Sequence, residues 1–228
     1  MKHSYRILLL SFFCLFLIVP ETLRGKENKK YYFKRIDNSM GLSQNTVTCI
    51  LQDKLGFMWF GTKDGLNKYD GHSFSIFRQR IGDEGSIKDN FITVLCEARS
   101  EYKLWIGTSN GIYIYDMQKE TFTHFIVGNS DININRPIND IQYDNNGVLW
   151  IATQGQGLFS YDEKQNILKR HLLGELNEKS DIRSLELDSR GFLWFSINDA
   201  GLFFSKDNLT TISRFTHDDI CLLYTSPS

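Results

Sequence analysis

Proline is scarce, three in 228 residues, and neither charge dominates, with 26 Lys and Arg against 27 Asp and Glu. The missing basic excess argues against a nucleic-acid binder, whose electrostatic footprint is a surplus of Lys and Arg. No stretch carries a sustained helical period. About two-fifths of the residues are apolar and aromatics are plentiful, which excludes a disordered chain. Cysteine is sparse as well. Of the four, Cys14 lies in an apolar run and Cys221 in the final segment. The other two, Cys49 and Cys96, occupy non-equivalent strand positions and read as small buried residues rather than a disulfide pair.

There is one long apolar run, the thirteen residues from Ile7 to Val19, behind Lys2, His3 and Arg6. A membrane-spanning helix needs about 20 such residues. Residues 1–25 therefore read as a secretory signal peptide, cleaved near Thr22 to Gly25, with an uncleaved anchor as the rival reading. Cys14 suits a lipoprotein cleavage site poorly. Residues 26–30 form a polar linker.

What is abundant is repetition. Phe57-Met58-Trp59-Phe60-Gly61-Thr62-Lys63-Asp64-Gly65-Leu66 returns as Leu104-Trp105-Ile106-Gly107-Thr108-Ser109-Asn110-Gly111-Ile112. It returns again around Trp150 and Gly157, and around Trp194 and Gly201. The four tryptophans stand 46, 45 and 44 residues apart. A period in this range marks a repeat architecture. Each unit holds four short alternating strands separated by turns, such as Asp70-Gly71. The fold class expected is all-β: a β-propeller of four-stranded antiparallel blades, about four present (45–80, 90–128, 136–173 and 180–217), with an incomplete ring. Each blade must bury both faces, hence the apolar strands and the bulky Trp. The glycines at 65, 111, 157 and 201 allow the positive φ of a tight turn. Asp144-Asn145-Asn146-Gly147 and Asp188-Ser189-Arg190-Gly191 resemble calcium loops faintly but lack the spaced carboxylates. They read as turns.

The phrase Gly41-Leu42-Ser43-Gln44-Asn45-Thr46-Val47, then Asp53 and Gly56, Trp59-x-Gly61-Thr62 and Gly65-Leu66-x-x-Tyr69-Asp70, resembles the two-component regulator propeller repeat. The resemblance runs from Tyr31 to about Phe215. The third and fourth copies depart from it, with Ala152 for the strand glycine and one residue inserted before Gly157 and Gly201. It implies the N-terminal periplasmic sensor part of a hybrid histidine kinase of the Bacteroidetes type. The family's usual signal is an oligosaccharide, and a homodimer is expected of the parent. No kinase core, ATP-binding glycine boxes or phospho-acceptor appears in the sequence, so catalytic residues and cofactors are not expected, and membrane attachment would lie downstream. Residues 220–228 match no blade and read as truncation or read-through. Tyr31 to Ile36 is expected as the outer strand of the ring's last blade.

Alternate turns go to opposite ends of a blade. The second-to-third turns share one end with the long blade connections, and variable loops on a rigid frame are where recognition is built. The candidate ligand-binding residues are Lys63, Asp64, Ser109, Asn110, Gln154, Gln156, Asn198 and Asp199. Ordinary solvated turn residues are the competing reading. No metal ligand set is expected: His72, His124, His171 and His217 share no ligand spacing. Asp64 and Asp199 as paired catalytic carboxylates would imply a carbohydrate hydrolase or lyase, and a protein-binding scaffold is a third possibility.

Overall fold

The computed structural model describes residues 32–100, 102–128, 132–207 and 209–215. The signal-peptide, linker and 220–228 expectations, and His217, lie outside them. Residues 1–35 and 36–228 form separate units, and everything below concerns the second unless stated.

Sixteen strands build four antiparallel sheets, each in simple sequential order. The first comprises β1 (Val47–Gln52), β2 (Met58–Thr62), β3 (Gly65–Tyr69) and β4 (Phe74–Phe77). The second comprises β5 (Ile92–Glu97), β6 (Lys103–Thr108), β7 (Gly111–Asp116) and β8 (Thr121–His124). The third comprises β9 (Ile138–Tyr143), β10 (Val148–Thr153), β11 (Leu158–Asp162) and β12 (Ile167–His171). The fourth comprises β13 (Ile182–Leu187), β14 (Leu193–Ile197), β15 (Gly201–Ser205) and β16 (Ser213–Phe215). The expected all-β class and four-stranded blades are therefore present.

The core lies between blades rather than within them. One apolar cluster joins Trp59 and Leu66 to Ile92, Leu104 and Tyr115. A second joins Trp105 and Ile112 to Ile138, Leu149 and Phe159. A third joins Trp150 and Leu158 to Ile182, Phe195 and Phe203. Trp59, Trp105 and Trp150 thus each anchor their blade against the next. Trp59 meets the Tyr115 ring edge-on at 5.5 Å and Trp105 meets Tyr161 at 5.9 Å, the preferred aromatic geometry. Trp194 has no such partner among the described residues; it is half-buried and stacks on Phe204 of its own blade at 4.7 Å.

Close blade approach explains the glycine of the Trp strand. A Cβ on Gly61 would stand 2.8 Å from Ile92 of the next blade and nearer still to Cys49 of its own, and one on Gly107 would stand 2.8 Å from Ile138 and 2.5 Å from Val94. Three of the turns before the Trp strands are fastened by acid. Asp53 accepts the backbone N–H of Leu55 and Phe57 through one oxygen and the Trp59 indole N–H, at 2.7 Å, through the other. Asp144 does the same for Asn146, Val148 and Trp150. Asp188 does so for Arg190, Phe192 and Trp194. The loops that resemble calcium sites thus use their leading carboxylate to hold backbone and indole.

One expectation fails. Tyr32 to Ile36 is not a strand, and Tyr32 and Phe33 are 86% and 96% exposed. Alternation alone does not make a strand; an outer strand needs an inner neighbour to supply its hydrogen bonds. Cys49 and Cys96 are free, half-buried thiols, and burial pushes them up to about 11 and about 12, so both stay protonated.

Candidate functional site

The blade connections arrive at the end that holds the second-to-third turns. Three bonds of the same kind fix them there: Gly65 N–H to Asn90 O at 2.7 Å, Gly111 N–H to Arg136 O at 3.2 Å, and Gly157 N–H to Ser180 O at 2.9 Å. The glycines are required, because φ is 113°, 94° and 87° and a Cβ would meet the carbonyls of Phe77, Ile134 and Asn177 at 2.6 to 2.8 Å. A buried Thr closes each of the first three turns. Thr62, Thr108 and Thr153 donate to the carbonyls of Gly65, Gly111 and Gly157 at 2.9, 2.9 and 2.6 Å. Ile197 stands at this place in the fourth blade.

On this fixed frame the eight polar candidates behave differently. Arg78 holds Asp64 by an ion pair at 2.8 Å and by a bond to its carbonyl. Lys63 lies 5.7 Å from the Phe91 ring of the first connection. The Ser109 hydroxyl donates to Asp89 at 2.5 Å, and the Asn110 N–H donates to Thr108. Gln154 bonds through its backbone to Pro137. Gln156 accepts from the Asn135 N–H and donates to the Asn133 carbonyl, so it pins the second connection. Asn198 donates to Asp199 at 2.8 Å. These last two border an open groove of about 420 Å³ beside Glu175, Asn177, Lys179 and Asp181. Asp64 and Asp199, the imagined catalytic pair, each have a local partner instead.

The structure adds a set of residues the sequence reading passed over. Every first strand bulges at its start, between Val47 and Cys49, Ile92 and Val94, Ile138 and Asp140, and Ile182 and Ser184. A bulge re-aims the extra side chain and is common beside functional sites. The extra residues are Thr48, Thr93, Asn139 and Arg183. Thr48 donates to the Ile92 carbonyl at 2.6 Å and Asn139 to the Ile182 carbonyl at 2.7 Å, each reaching into the next blade. Asp181 joins the groove to this row: it accepts from Asn139 at 3.1 Å and pairs with Arg183 at 2.8 Å. The signal was in the sequence: one polar residue directly after the apolar residue that opens each first strand.

The histidines do other work. The His171 ring lies 2.7 Å from the Ser160 hydroxyl, 5.0 Å from the Trp150 ring and is 8% exposed. Burial holds its pKa down at about 4. Burial also closes Ser160 to any substrate, so the pair is structural. His124 tilts against Tyr113. Among the described residues no group of three or more His, Cys, Asp and Glu could hold a metal ion.

Residues 41–64 and 133–155 match the family described as Two component regulator propeller. A stretch of 73 residues is 45% identical to Histidine kinase P4 of Formosa agariphila, covering 32% of this chain and 5% of that protein. Among solved structures, BT3049 of B. thetaiotaomicron, an extracellular domain assigned to a hybrid two component system, superposes with a TM-score of 0.71 at 24% identity. That match covers 82% of this chain and 27% of the other. PorZ, a surface component of the type-IX secretion system of Porphyromonas gingivalis, gives a TM-score of 0.57 at 14% identity over 83% of this chain and 29% of its own. The chain thus spans a small part of each.

Proposed function

We propose that this chain is part of the sensor region of a membrane histidine kinase, exported to the periplasm, and that its loop end binds an oligosaccharide. The reading rests on the matched repeats and on the 45% identical stretch shared with a histidine kinase. The geometry supports it in one respect above all. The glycine-to-connection bond and the Thr closure of the loop end recur in the first three blades, while the side chains displayed there do not. Lys63, Ser109, Gln154 and Asn198 follow one another from blade to blade at this end. An asymmetric row of short donors and acceptors suits an asymmetric, hydroxyl-rich chain better than a symmetric ligand. The groove at Asn198 and Asp199 reaches Asp181, which pairs with Arg183, and gives this end free volume. The kinase and a dimeric arrangement belong to the longer parent.

Signalling requires that the ligand bind one receptor state better than another. The test is thermal unfolding of the complete exported region containing this chain against a panel of oligosaccharides. A true ligand raises Tm in a concentration-dependent way, and Asn198→Ala with Asp199→Ala abolishes the rise. A panel of glycans that leaves Tm unmoved overturns the proposal.

A further inference from the structure

Blades one, three and four share a device that blade two lacks. In those three, the residue directly after the first strand is the Asp that caps the Trp indole. Its backbone N–H also closes the turn, as in Asp53 to Phe57 and Asp144 to Val148. In blade two the residue making that closing bond, to Lys103 O, is Ala98. The turn is one residue longer, with Tyr102 at φ 62°. Trp105 is nonetheless 3% exposed, so its indole N–H must find another acceptor. It finds two in blade three, the Tyr143 hydroxyl at 2.8 Å and Glu163 at 3.3 Å. Tyr143 itself donates to Glu163. An open cavity of about 230 Å³ stands beside the missing carboxylate.

We propose that this cavity binds a compact neutral polyol, about one sugar ring in size. Its floor is apolar, formed by Ala98, Trp105, Ile114 and Tyr161, and its rim carries Lys103 and Glu163. A donor cation and an acceptor carboxylate on one rim favour neither a net cation nor a net anion. A polyol offers hydroxyls to both and a C–H face to the floor. The volume lies below the roughly 300–1,000 Å³ that houses a drug-sized ligand. Trp105 and Tyr143 fix the Glu163 carboxylate before a ligand arrives, which lowers the ordering cost of binding. The site lies at the first-to-second turns, the end opposite the candidate loops, and does not depend on the sensor reading.

The experiment follows the four indole N–H resonances of the chain while glucose or myo-inositol is titrated. The Trp105 signal shifts and saturates; Glu163→Gln weakens binding by at least about tenfold, roughly the loss of one hydrogen bond to a charged group. Ala98→Asp rebuilds the cap of the other three blades and removes the shift while the remaining three indole signals keep their dispersion. A still Trp105 signal, or an equal shift of all four indoles, or an undiminished shift in both variants, overturns the proposal. A response at the loop end with Trp105 unmoved counts against this cavity and leaves the loop-end site standing.

Discussion

Asp53 serves both ends of one turn. It is 5% exposed, and it satisfies two backbone donors and an indole that is fully buried. Asp53→Ala leaves all three unpaired, and stability falls by about 3 kcal/mol in urea unfolding. His171 gives a second prediction at this scale. Its pKa is depressed from 6.5 to about 4 in the fold, so the unfolded chain binds the extra proton. Its contribution is whole above pH 6.5 and is lost as pH falls toward 4, by about 3 kcal/mol. The exposed Asp70 carboxylate, held at about 2 by the Ser73 and His72 N–H groups, acts in a lower window. His171→Gln keeps a partner for Ser160 and flattens the slope of urea midpoint against pH between 6.5 and 4 only. None of these roles was legible in the sequence. Asp144 and Asp188 read as turn residues, but nothing in their spacing said that the second oxygen reaches the indole. The Ser160–His171 pair depends on a strand register that a single lone His does not disclose.

At the scale of the element, the hairpin glycines separate two demands that sequence alone merges. Gly111 and Gly201 both hold φ near 100°, so each replacement by Ala strains the backbone. A Cβ at Gly111 would also stand 2.6 Å from the Ile134 carbonyl, whereas at Gly201 the nearest neighbour is the Arg214 side chain at 3.8 Å. Gly111→Ala lowers stability by about 3 kcal/mol and Gly201→Ala by about 1 kcal/mol, measured by chemical unfolding. Equal losses would mean that the connection does not press on the turn. Strand order and turn positions were legible here, because a period of about 45 residues shows each element four times. The bulges were marked only by the polar residue that follows each opening apolar one. An extra residue in a first strand looks like one more alternating position until the partner strand is in place. Tyr32 to Ile36 shows the reverse: alternation without a neighbour yields no strand.

Across the whole molecule, stability comes from burial between consecutive sheets, and the blades are unequal for that reason. The second and third are covered on both faces; among the described residues the first and fourth have one neighbour each. The exposure of Gly201 and Leu202, where Gly111, Ile112, Gly157 and Leu158 of the inner blades are buried, is the local trace of this difference. The architecture could be read from the repeated Trp phrase, since a fixed phrase at fixed spacing has few folded solutions. The loop-end site was legible only as a region. Which polar residues stand free and which pin a connection depends on contacts such as Arg78 to Asp64 and Gln156 to Asn135, made across loops whose lengths differ between blades. In a stacked array, stability is a sum of blade and interface contributions, so the ends open first. Amide hydrogen exchange resolved by strand tests this most directly. Stacking predicts that β6 and β10 exchange slowest and that β4 and β16 exchange fastest; strands of the two inner blades exchanging as quickly as those of the outer ones would contradict it.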